Sequence, residues 1–130
     1  LGYLAADPAV VDALRLVRLP YHLSALTQAA AIAAVRHADE MLATVADIRA
    51  QRDRLAAALT ELGYVVHPSG ANFLLVGGFS DPTATFEELR ARGILIRDLG
   101  IPGHLRMTAG TAAETTQLID ALTELSMRAL

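Results

Sequence analysis

The sequence predicts a mixed α+β or α/β fold, in which a small sheet carries helices on one face and follows a helical arm. Apolar residues recur at three- and four-residue steps in the first half of the chain, and short apolar segments separated by glycine turns follow in the second half. Hydrophobic residues make up 53% of the 130 residues, which is enough to bury a core and excludes a disordered chain. The expected order is a helical arm that ends in one long helix, followed by β-β-α-β-β-α.

Two short helices are expected at the start of the chain. Asp7 and Pro8 suit the N-cap and the first helical position of a helix over about 8–17. Ser24 can cap a second, alanine-rich helix that reaches about His37. Because small side chains permit close packing, we expect this second helix to be well buried.

A long amphipathic helix is expected next. Apolar residues recur at helical spacing over 38–62, polar residues occupy the rest of the wheel, and Gly63 follows as a stop. The apolar stripe lasts too few heptads for a coiled coil, so it predicts a packing face.

The second half of the chain reads as strands and helices around turns. Strands are expected over 64–67 and 72–76, on either side of the turn 68–70. Asp81 opens a helix that stops at Gly93. Another strand pair and a last helix follow, and the last helix begins at a capping box formed by residues 111–114.

Two arginines mark the expected second hairpin. Arg97 and Arg106 each lie at or within an apolar, strand-like segment, where a charge is costly unless it is paired. A guanidinium is a planar fork of donors that suits carboxylate or phosphate, so two of them joined by a short turn predict an anion-binding hairpin. The alternative is that each arginine pairs with a neighbouring carboxylate such as Asp98 or Glu114.

Composition and spacing argue against several other kinds of site. The net charge is −3 and the arginines are scattered among acids, so we expect no nucleic-acid partner. Cysteine is absent and the four histidines lie far apart without a zinc-binding pattern, so we expect no metal site. The longest apolar run, 29–35, is too short to span a bilayer, and no signal peptide is evident. A cytoplasmic protein without a membrane partner is therefore expected.

The chain contains no lysine, since all eleven basic residues are arginine. A reaction that needs a lysine Schiff base therefore cannot be completed by this polypeptide alone. The first residue is Leu1 rather than methionine, and we expect the chain to be a piece of a longer protein. Tyr21 and Asn72 are ambiguous, because each suits either a turn or a ligand-facing position.

Six segments of the chain form a recognisable series. They are LGY at 1–3, LPYHLS at 19–24, TQAA at 27–30, SGANF at 69–73, GILIRD at 93–98 and LRMTAGT at 105–111. In this order they resemble the C-terminal portion of the histidinol-phosphate aminotransferases, a branch of the fold-type I enzymes that use pyridoxal 5'-phosphate (PLP). The resemblance covers essentially the whole chain, and its most specific part is the combination of Gly-Ile-Leu-Ile-Arg-Asp with a nearby Leu-Arg.

The resemblance implies a domain organisation and a role for the arginines. Residues 1–37 would be the trailing end of the large PLP domain and its connection, and residues 38–130 the small C-terminal domain with the long linking helix. Arg106 would hold the substrate carboxylate, and Arg97 would join it to hold the substrate phosphate. The residues that bind PLP, including the Schiff-base lysine, would all lie before Leu1.

The resemblance also implies an activity. The longer protein would interconvert L-histidinol phosphate and 2-oxoglutarate with imidazole-acetol phosphate and L-glutamate, as a homodimer, whereas this chain alone would be inactive. Tyr21 and Asn72 would be possible residues of the substrate pocket. Other open readings are an aromatic amino-acid aminotransferase, a threonine-phosphate decarboxylase-like enzyme, and a free-standing α+β domain that binds or senses an anion.

Overall fold

The computed structural model describes residues 1–128, and the chain divides into two compact units with the boundary between Leu42 and Ala43. The long third helix crosses this boundary, and the assignment of 1–37 and 38–130 to two domains stays a prediction. The elements are α1 Pro8–Val17, α2 Ala25–Arg36, α3 Ala38–Glu61, β1 Val65–Val66, β2 Phe73–Gly77, α4 Pro82–Ala91, β3 His104–Thr108 and α5 Ala112–Arg128.

The first unit contains the two short helices, and the predicted caps form. Asp7 accepts a hydrogen bond from the Ala9 N–H at 2.9 Å, and Ser24 accepts one from the Thr27 N–H at 3.1 Å. The expectation that α2 is well buried is wrong, because neither α1 nor α2 has a buried residue. So short a segment encloses too little core to cover the apolar side chains of α2.

The second unit is a three-stranded antiparallel sheet in the order β1-β2-β3. Buried side chains alternate along β2 and β3, apart from the additional buried Gly77 at the end of β2, and they pack with side chains from α3, α4 and α5 in one cluster. This confirms the prediction of a small sheet with helices on one face. The fully or nearly buried members include Leu55, Leu59, Leu74, Val76, Leu89, Leu105, Met107, Leu118 and Leu122.

The second hairpin differs from the prediction, because its first strand does not form. The chain leaves α4 through Gly93 at φ +78, and the Ile94 N–H remains bonded to the Leu89 carbonyl at 3.0 Å. Only two residues separate this helix cap from Arg97, so the segment pairs with β3 through one isolated bridge, at Arg97 and Arg106. The sheet therefore has three strands with a bridged segment along β3.

The capping box at the start of α5 follows directly after β3. The Glu114 carboxylate accepts hydrogen bonds from the N–H of Thr111 at 2.7 Å and from its hydroxyl at 2.8 Å, and both bonds lower the pKa of Glu114. A Cβ on Gly110 would lie 2.6 Å from Oε2 of Glu114, so glycine leaves room for this box. The box ties the end of β3 to α5.

A candidate anion-binding site on the open face of the sheet

One face of the sheet packs against α3, α4 and α5 in the core of the second unit, and we call the opposite face of the sheet the open face. It is formed by the residues of β2 and β3 that alternate with the buried ones, including Phe73, Leu75, Arg106 and Thr108. Successive side chains of a strand point to opposite faces, so Arg106 is directed away from the core even though both its neighbours in β3 are fully buried. The open face can therefore hold charged groups.

Arg97 and Arg106 lie directly opposite each other. The Arg97 N–H donates to the Arg106 carbonyl at 2.9 Å, and the Arg106 N–H donates to the Arg97 carbonyl at 2.9 Å. Two residues that exchange both bonds form a hydrogen-bonded antiparallel pair, whose side chains project from the same face. Like charges directly opposite each other are destabilising. The pair thus places two cations side by side, where one anion could bridge them.

Neither candidate carboxylate neutralises these arginines. Asp98 accepts hydrogen bonds from the Gly100 N–H and the Thr83 hydroxyl, each at 2.8 Å, and these bonds lower its pKa. Glu114 is occupied in the capping box. Among residues 1–128, no ion pair includes either arginine, so the structure does not support the pairing of these arginines with neighbouring carboxylates.

The ring of Phe73 lies against the guanidinium of Arg106. The guanidinium carbon of Arg106 lies 4.9 Å from the centre of the Phe73 ring, within the range of a cation–π contact. Nε of Arg106 is buried and has no hydrogen-bond partner in the described part of the chain. A donor in that state is costly, so it adds a second reason to expect an acceptor from outside these residues.

The sequence did not indicate this role for Phe73. Phe73 pairs with Thr108, two positions along β3 from Arg106, and the contact depends on the register between the strands. A single sequence does not reveal the register between strands. Once the register is known, the signal to look for is an aromatic residue on the same face of the sheet as an arginine.

Of the other two predicted site residues, Asn72 directly precedes β2 and Tyr21 belongs to the first unit. The Asn72 carbonyl accepts a hydrogen bond from the Ala109 N–H at 2.9 Å, which extends the ladder between β2 and β3, and Asn72 is exposed. Tyr21 is 99% exposed and belongs to the first unit. Their place in a substrate pocket stays a prediction.

The described residues contain no group of three or more histidine, cysteine, aspartate or glutamate side chains that could hold a metal ion. Among the helices within residues 1–128, none combines the length and apolar character needed to cross a bilayer.

Comparison with known proteins identifies the family. The model of the family described as "Aminotransferase class I and II" matches residues 1–122. The chain belongs to the class I and II aminotransferases. The arginine pair and the sheet that carries it lie within the matched range, so the candidate site is part of an aminotransferase sequence.

Individual relatives of this aminotransferase chain agree with the assignment. It is 60% identical over 126 residues to the histidinol-phosphate aminotransferase of Mycolicibacterium smegmatis, covering 97% of this chain and 33% of that protein. It is 61% identical over 119 residues to the histidinol-phosphate aminotransferase of Nocardia farcinica, covering 92% of this chain and 31% of that protein. The resemblance seen in the sequence is confirmed.

A solved structure agrees in fold. The histidinol-phosphate aminotransferase of Sinorhizobium meliloti, in complex with pyridoxal-5'-phosphate, matches with a TM-score of 0.78 at 28% identity, covering 95% of this chain and 35% of that one. The chain therefore spans about a third of the length of the curated relatives and of this structure. The fold prediction, a small-domain portion of a fold-type I aminotransferase, is confirmed.

Proposed function

We propose that the chain is the C-terminal part of a histidinol-phosphate transaminase. The longer protein would interconvert L-histidinol phosphate and 2-oxoglutarate with imidazole-acetol phosphate and L-glutamate. The observation that carries the proposal is the cross-strand pair of Arg97 and Arg106, which lie on one face without a carboxylate partner among the described residues. The 60% identity to a histidinol-phosphate aminotransferase supports the choice of substrate.

The arginine pair suits a reaction with two different anions. Glutamate presents an α-carboxylate, and histidinol phosphate presents a phosphate ester in its place. A carboxylate is satisfied by one bidentate guanidinium, whereas a phosphate has three acceptor oxygens and gains from a second guanidinium. We therefore assign Arg106 to both substrates and Arg97 chiefly to the phosphate.

The residues of this chain do not fit PLP by themselves. The cofactor is held in aminotransferases by a lysine, and this chain has none. When bound, PLP supplies an electron sink for carbanion chemistry. We propose that the rest of the longer protein holds the cofactor and that this chain contributes binding and orientation of the substrate anion only. This chain alone would therefore be inactive.

The longer protein would be a cytoplasmic homodimer. What supports this proposal is the exposure of apolar side chains in the first unit, such as Leu26 at 81% and Val35 at 75%, which need cover from other parts of the longer protein or from a second copy. The same exposure disfavours a free-standing anion-binding domain, which would need a polar surface.

An aromatic amino-acid aminotransferase is the second candidate. It would retain Arg106 for the α-carboxylate of its substrate. It would have no use for a second arginine beside the first, so the unpaired position of Arg97 favours the phosphate substrate.

Steady-state kinetics of the longer protein, with PLP present, tests the proposal. We expect kcat/KM for histidinol phosphate with 2-oxoglutarate to exceed that for phenylalanine by at least about 100-fold. Phenylalanine has no phosphate, so it lacks the hydrogen bonds by which the arginines would stabilise the bound phosphate by several kcal/mol. A greater kcat/KM for phenylalanine would reject histidinol phosphate as the substrate. Turnover by the 130-residue chain alone would reject the proposal that the cofactor is held by the rest of the longer protein.

A further inference from the structure

Two histidines that are far apart in sequence meet on the open face. Nε2 of His67 lies 3.1 Å from Nε2 of His104, and the two rings stack with their centres 5.2 Å apart. His104 begins β3, and His67 follows β1, with its N–H bonded to the Leu75 carbonyl of β2 at 3.0 Å. The contact therefore spans the whole width of the sheet.

A glycine in the middle strand makes this contact possible. Gly77 of β2 pairs with His104, and a Cβ on Gly77 would lie 2.7 Å from Nε2 of His104. Carbon and nitrogen atoms do not approach so closely without a bond, so any other residue would displace the imidazole. Glycine lets the ring of His104 lie across β2 and reach His67.

The hydrogen bonds of His104 determine which nitrogen carries a proton. Nδ1 lies 2.7 Å from the Pro102 carbonyl, which can only accept, so Nδ1 of His104 is the donor. In a neutral imidazole Nε2 then has a free lone pair, and it faces His67. Metal-bound histidines commonly have this arrangement, in which the nitrogen that does not bind the metal donates to a carbonyl.

We propose that Nε2 of His67 and Nε2 of His104 form a site for a divalent late transition metal, Cu²⁺, Ni²⁺ or Zn²⁺. At metal–nitrogen distances of about 2.0–2.1 Å, a nitrogen–nitrogen separation near 3.1 Å corresponds to an angle of roughly 100° at the metal, between the octahedral and tetrahedral values. The metal would replace the proton that His67 now shares with His104, without a change in backbone.

The ligand type and the neighbouring charges determine which class of metal ion the site would bind. Imidazole nitrogen suits copper, nickel and zinc, whereas Mg²⁺ and Ca²⁺ prefer carboxylate oxygens. The described residues supply no third protein ligand in a cluster, so water would complete the coordination. Arg106 lies two residues from His104 on the same face, which disfavours cations bound by charge alone. The site therefore depends on coordination by the two rings.

Titration of the purified 130-residue chain with CuCl₂, NiCl₂, ZnCl₂ and MgCl₂ tests this site, by calorimetry and, for Cu²⁺, by electron paramagnetic resonance. We expect one saturable site, tightest for Cu²⁺ as the Irving–Williams order requires, with two nitrogen ligands in the Cu²⁺ spectrum and no binding of Mg²⁺. His67→Gln should weaken Cu²⁺ binding by at least about tenfold. The loss of a hydrogen bond to a metal ligand already lowers metal affinity by that factor, and here a ligand itself is removed.

Matched variants distinguish the site from unspecific binding. His67 is exposed, so His67→Gln should keep the fold, which circular dichroism would verify. His37→Gln is the control, because His37 is also exposed and its ring contacts a carboxylate, that of Glu40, rather than a second imidazole. Metal binding that is unchanged in His67→Gln, or equally weakened in His37→Gln, would overturn the proposal, as would the absence of saturable binding in the unmutated chain.

Discussion

Replacing Arg106 with glutamine is expected to lower kcat/KM for glutamate and for histidinol phosphate by about 100-fold each, measured in the longer transaminase. Removing a charge-assisted bidentate hydrogen bond from a half-buried site costs about 3 kcal/mol, and each 1.4 kcal/mol is tenfold. The value of kcat/KM falls for both substrates because Arg106, whose guanidinium lies over the Phe73 ring, is assigned to both anions. Arg106→Lys should recover only part of the activity, since an ammonium lacks the planar fork.

Two comparisons make this result specific. Arg97→Gln should lower kcat/KM for histidinol phosphate about tenfold more than for glutamate, because the second guanidinium is assigned chiefly to the phosphate. Arg90→Gln is the matched control: Arg90 is exposed and pairs with Glu87, so its replacement should leave both substrates unaffected. Unchanged kinetics in Arg106→Gln, or equal reductions in Arg90→Gln, would contradict the assigned role.

Leu105→Ala is expected to lower the free energy of unfolding of the chain by about 2–5 kcal/mol, through reduced apolar burial and the cavity that remains. Leu105 is fully buried in β3, between His104 and Arg106 in sequence, and packs with the helices on the covered face. Denaturation in urea, followed by circular dichroism, measures the change. Because the same strand positions the open face, the arginine pair should become less ordered together with the core.

A leucine outside the core provides the control. Leu95 is 79% exposed, so Leu95→Ala should change the free energy of unfolding by no more than about 0.5 kcal/mol. Similar effects of the two substitutions would show that the sheet does not separate a covered face from an open one as the structure has it.

Local signals in the sequence were sufficient to predict most of the elements. Asp7 and Ser24 act as the caps that their residue types suggest, and Gly63, at φ +87, ends the long helix. The burial of α2 was predicted wrongly, because burial depends on what surrounds a helix, and composition alone does not supply that.

The candidate site was predictable in part. The chemistry of guanidinium and the two apolar segments pointed to Arg97 and Arg106, and the structure places them directly opposite each other. The contact of Phe73 with Arg106 and the meeting of His67 with His104 depend on strand register. Register is set by long-range packing rather than by neighbours in the chain, so a single sequence does not reveal it.

A crystal structure of the longer protein with histidinol phosphate bound tests most directly whether Arg97 and Arg106 form the substrate clamp. We expect phosphate oxygens within about 3 Å of both guanidinium groups, with Arg106 still stacked on Phe73. A phosphate that lies against other residues, with Arg97 and Arg106 both paired to carboxylates of the longer protein, would contradict the proposed function of this chain.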